Sequence, residues 1–239
     1  MTAERLASGC TIAPAPPAAP LGRRLVSGLL GAVLVAAGAV GLRDPLASMA
    51  SYSAALMVLN QAAPPLLLLA LPRLPSHWLI DPLLDPWLAF VTFAGLSVAV
   101  SLPGLFESTL ANALYAAPLG AFELASGLLF WAQLAPATRR LRPWWAALFA
   151  WAGSVPMTVV AVIWMLSPRV LYTPYLNVVC RWDVPPLLDQ KWAGLVMFVA
   201  GFPLQLAGTW MLLYPPEPPP AGLPRQPKCQ RWLRRTGFP

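Results

Sequence analysis

Charge is what this chain has least of. Only 10% of its 239 residues are Asp, Glu, Lys or Arg, against about 25% in an average soluble domain. With 58% hydrophobic residues and a mean hydropathy of +0.62, the composition excludes an ordinary soluble globule. It fits a membrane protein, in which lipid replaces water around most of the surface. Histidine is nearly missing: His77 stands by itself, which excludes a multi-histidine metal centre built from this chain alone. Cys10, Cys180 and Cys229 lie far apart. Without a C-x-x-C pair there is no zinc or thioredoxin-type motif. No phosphate-cradling glycine loop and no nucleophile–base pairing appears, so an enzyme is not expected.

Long uncharged runs are what the chain has instead. Pro45 to Pro72 holds no charge, and neither does Trp192 to Tyr214. At about 1.5 Å per helical residue, a run of about 20 crosses a hydrocarbon core of about 30 Å. The runs predict an all-α fold, a polytopic transmembrane bundle of about six helices. Their expected bounds are Leu25–Leu42, Met49–Leu71, Trp87–Leu102, Asn112–Leu134, Trp144–Leu166 and Trp192–Tyr214. In the first, Gly28, Ala32 and Ala36 recur every fourth residue and permit close helix packing. The alternative for that stretch is a cleaved signal peptide, with Ala37-Gly38-Ala39 as its processing site. In the second, Pro64 and Pro65 must bend or divide the helix, since neither offers an N–H. Residues 1–21 are Ala/Pro-rich and expected to be disordered. Residues 22–214 form the membrane domain, and 215–239 form a Pro-rich basic tail.

The formal net charge of +7 does not indicate nucleic acid, because the basic residues sit at the ends of apolar runs and in the tails. Six spans place both termini on one side. That side collects Arg5, Arg23, Arg24, Arg73, Arg139, Arg140 and Arg142, together with the five bases after Tyr214; the other side has only Arg43, Arg169, Arg181 and Lys191. The positive-inside rule then puts both termini in the cytoplasm.

Few polar residues remain as candidates for chemistry. Glu123 falls near mid-bilayer, where a charge costs at least a few kcal/mol. It is expected to be protonated or paired inside the bundle. Asn60 lies at a similar depth and is its expected partner. The pair serves either as an interhelical polar clamp or, with Gln61, as the heart of a small ion-coupled permease. Asp189 and Gln190 precede Lys191 at the outer mouth of the last helix. They read equally as a helix start, favoured by the dipole, and as an exposed functional pair. Tyr172 and Tyr175, in LYTPY, are expected to anchor an outer loop at the interface. Met49 with Met57, and Met157 with Met165, share helix faces; thioethers carry Cu(I) but mostly pack. Cys180 would add a soft outer ligand to a copper-handling protein.

Four segments give the chain a family resemblance over roughly 51–214. They are APPLLLLALP (Ala63–Pro72), SLPGLFE (Ser101–Glu107), SGLLFW (Ser126–Trp131), and LYTPYL followed by LLDQKWAGLVM. In order and spacing they resemble the CtaG-like cytochrome c oxidase assembly factors, membrane proteins linked to maturation of haem–copper oxidases. The resemblance implies a bacterial inner-membrane protein that assists or accompanies a respiratory oxidase. Its contact residues would be Asp189, Gln190, Tyr172 and Tyr175 on the outer surface, with lipid and oxidase subunits as partners. It also associates the chain with copper. The places of the family's histidines, however, fall on Tyr52, Ala55, Leu56, Ser101, Ala116, Leu119 and Gly120. The expected cofactor is therefore none.

Overall fold

A computed structural model describes residues 20–71, 85–103, 113–135, 141–177 and 183–214. The expectations for both tails, for His77 and for Cys180 fall outside them. The described residues form helices and turns with no strand. The helices are α1 (Leu21–Gly41), α2 (Met49–Ala70), α3 (Pro86–Ala99), α4 (Ala113–Leu134), α5 (Pro143–Leu166) and α6 (Pro186–Leu213). A short 3-10 turn, Thr173–Asn177, lies between the last two. Among the described residues, α1, α2, α5 and α6 are long and apolar enough to cross a membrane. α3, at 14 residues, is shorter. α4 has 22 residues and carries Glu123 and Gln133 within it.

Small residues set how the helices meet. A Cβ added to Gly28 would touch Ala70, one on Gly31 would meet Leu67, on Gly38 Leu59, and on Gly41 Ala55. Partner numbers fall as α1 numbers rise, so α1 and α2 run antiparallel in close contact. The segment weighed as a processing site, Ala37-Gly38-Ala39, lies inside this packed helix. The same pattern holds between α6 and α5, where Gly194 faces Ala161 and Gly208 faces Ala147. At the centre, Phe130 of α4 stacks between Phe93 of α3 (4.0 Å) and Phe149 of α5 (4.8 Å). This aromatic column ties three helices, with Gly153 of α5 packed against Phe130.

Pro64 and Pro65 interrupt α2 without ending it, so that its α-helical stretches are Met49–Met57 and Ala63–Ala70. The prolines' missing N–H groups leave the carbonyls of Asn60 and Gln61 without α-helical donors. The chain takes this up in a π-turn over Val58–Ala62, and the Ala63 N–H bonds to the Val58 carbonyl. π-turns often mark functional positions, and this one holds Asn60 and Gln61. Gly127 of α4 packs directly on it. A Cβ there would lie 2.4 Å from the Asn60 carbonyl oxygen and 2.9 Å from Pro64 Cγ. Gly127→Ala is therefore expected to cost about 1–3 kcal/mol, the usual penalty of overpacking. A lower melting temperature in mild detergent would show it. Gly95→Ala, with open space around the new methyl, should leave the melt unchanged.

Candidate functional site

Two polar clusters stand out in an otherwise apolar bundle. The first closes one end of it. α6 begins at Pro186, not at Trp192, because Pro185 and Pro186 supply the fixed φ that opens a helix. This adds roughly one and a half turns and carries Asp189 and Gln190 into the bundle. Asp189 is 1% exposed and Gln190 0%. The expected exposed pair at the mouth of the helix is thus corrected to a buried one.

Asp189 reaches the start of α2. Its carboxylate accepts from Ser48 Oγ (2.7 Å), Met49 N (2.6 Å) and Ala50 N (3.3 Å). The Met49 and Ala50 N–H groups are ones that a helix start leaves without partners, so α6 caps α2 from a distance. Ser48 is also the local cap, accepting from Ser51 N at 3.2 Å. Gln190 holds the chain that follows α5. Its Oε1 accepts from Leu171 N (2.8 Å), and its amide donates to the carbonyls of Trp164 and Arg169 (3.4 Å each).

Tyr172 and Tyr175 are buried too, at 0% and 1% exposure, where interfacial anchors had been expected. The Tyr172 hydroxyl donates to the Ser101 carbonyl (2.6 Å), just past α3. The Tyr175 hydroxyl donates to the Pro45 carbonyl (2.7 Å), just before α2. Burial raises the Tyr172 pKa above the ordinary tyrosine value, so the hydroxyl remains a donor through the physiological pH range. The four residues form one clasp joining α2, α3, α5 and α6.

The second cluster lies mid-bundle. Asn60 Nδ2 donates to Glu123 Oε2 (2.5 Å) and approaches Ser126 Oγ (3.4 Å). Glu123 is 1% exposed and Asn60 0%, so the expected pairing is present. Tyr52 lies within electrostatic reach of Glu123. Gln61 does not join them: its amide donates to Met157 Sδ at 3.5 Å. Sequence reasoning missed Ser48, Ser126 and Tyr52 as members of these clusters. The spacing of Ser48 and Ser51 ahead of an apolar run was the available signal for the first.

The positions where the resemblance expects histidines are spread over α2, α4 and the end of α3. Leu56 and Ser101 line a cavity with Ser53, Ser97, Met57 and Met197. Its volume of about 10 Å³ holds roughly one water. Gly120 instead packs on Leu42 and Leu59. The cavity's two thioethers, Met57 and Met197, are the soft donors it offers, among hydroxyls and hydrocarbon. Among the described residues, no group of three or more His, Cys, Asp or Glu is placed to hold a metal ion.

The family model for the cytochrome c oxidase caa3 assembly factor matches residues 15–215. No curated protein and no solved structure matches the chain.

Proposed function

The chain belongs to the caa3-type cytochrome c oxidase assembly factor family, and from that premise we propose that it is a non-enzymatic, metal-free helper or companion of a haem–copper oxidase in a bacterial inner membrane. The observation that carries the reading is the family match across nearly the whole helical region, 15–215. The buried clasp supports it. The residues the chain shares with the family pattern at this end, Asp189, Gln190, Tyr172 and Tyr175, are engaged in holding the scaffold's shape. They shape the outer end of the bundle rather than bind a cofactor themselves. In this reading the bundle sits in the membrane with the clasp outward and both termini in the cytoplasm, an orientation that the distribution of basic residues supports.

Deleting the gene tests this. The expected result is a several-fold fall in assembled oxidase, read from reduced-minus-oxidised haem spectra of isolated membranes, restored by a plasmid-borne copy. Normal oxidase content in the deletion strain would overturn the reading.

A further inference from the structure

A groove of about 600 Å³ opens between α2, α4 and α6. Its walls are mostly apolar, with Ala54 and Ala62 of α2 on one side and Leu195, Val199 and Pro203 of α6 on the other. Two side chains break the pattern. Gln61 and Trp131 line the groove, and Gln61 Oε1 and Trp131 Nε1 are buried without a hydrogen-bond partner. Gln61 is only 7% exposed. Its amide nitrogen meets a thioether, a weak acceptor. Exchanging the amide oxygen and nitrogen would still leave one end unmet. A third polar group comes from the backbone: Pro203, inside α6, lacks the N–H that the Val199 carbonyl would receive.

A membrane interior makes such groups costly, because lipid tails neither donate nor accept hydrogen bonds. Gln61 and Val199 sit near the middle of their helices, far from phospholipid headgroups. A bound acyl chain fills the groove and leaves all three groups unmet. A helix that presents a carboxamide side chain, with two donors and an acceptor, meets all three, and one that presents a hydroxyl, with a single donor, meets two. Alanines at the contact let such a helix come close.

The geometry points to the α2–α4–α6 groove as the seat for a transmembrane helix of a partner membrane protein, gripped through a hydroxyl or carboxamide side chain that bonds Gln61. Seating turns the Gln61 amide from its buried position toward the groove. The inference rests on the proposed role in oxidase assembly and names the surface through which that role is exerted.

Site-specific photo-crosslinking in native membranes tests it. The full-length chain carries a photoreactive residue at Leu195, in the groove, or at Leu29, on the exposed face of α1. Leu195 is expected to give an adduct whose cross-linked peptide is a partner's membrane-spanning segment containing Asn, Gln, Ser, Thr or Tyr. Leu29 should give none. Gln61→Leu should lower the yield about tenfold, the occupancy change for one hydrogen bond. Val199→Trp, which fills the groove from an exposed position, should abolish it without disturbing the fold. Adducts to lipid only, to a second copy of this chain, or to an extramembrane loop would overturn the inference. So would a yield indifferent to both substitutions. Oxidase content in the deletion strain is read separately: loss of oxidase with no helix captured rejects the groove alone, and capture with normal oxidase rejects the assembly role alone.

Discussion

Asp189→Ala is expected to lower the stability of the bundle by about 3–5 kcal/mol, as leaving several buried hydrogen-bond donors unmet does. The substitution strands Ser48 Oγ and the N–H groups of Met49 and Ala50, which all donate to this carboxylate. Water cannot reach in to compensate, since Ser48 and Met49 are 0% and 1% exposed. At about 2–4 °C per kcal/mol for a chain of this size, the melting temperature in mild detergent should fall by roughly 10 °C. Asp189→Asn keeps one acceptor oxygen but turns an amide N–H₂ toward a donor, so it should fall between the two. An unchanged melt for Asp189→Ala would show that α6 does not hold α2 through this contact.

The second large effect concerns Glu123 and Asn60, and here a double substitution is more informative than a single one. Glu123→Leu removes the acceptor of the Asn60 amide and should cost about 1–3 kcal/mol. Asn60→Leu should cost a similar amount by taking a donor from a buried carboxyl. Removing both together should recover most of the loss, because no stranded polar group remains. Glu123→Gln retains an oxygen in place and should stay within about 1 kcal/mol of the parent. Oxidase content should follow stability through the whole series. If Glu123→Gln abolished oxidase assembly while the protein stayed abundant and stable, the carboxyl would have a chemical role and the clamp would be the wrong description.

Much of this arrangement was legible in the residues. Apolar runs located the six helices, and the depth of Asn60 and Glu123 paired them across 63 residues of sequence. The start of α6 was misplaced because Asp189 and Lys191 looked like the polar end of an apolar run. The Pro185-Pro186 pair marked the true start. The burial of Asp189 was hidden for a different reason: its partners lie about 140 residues away, beyond any local pattern. Gln61 shows the same limit. It neighbours Asn60, yet the π-turn sends the two amides to different partners, Met157 and Glu123. The double proline gave warning of an irregular turn but no hint of its direction.

That the start of α2 is tied down by α6 has a consequence for biosynthesis. The ribosome makes Met49 about 140 residues before Asp189. At about 5–20 residues per second, the early hairpin waits roughly seven to thirty seconds for its latch. Throughout that interval Ser48 is the side-chain cap at the start of α2, beside the backbone turn that precedes it. Nascent chains halted short of Asp189 should therefore be open to membrane quality-control proteases, and become resistant once the last helix is released into the bilayer.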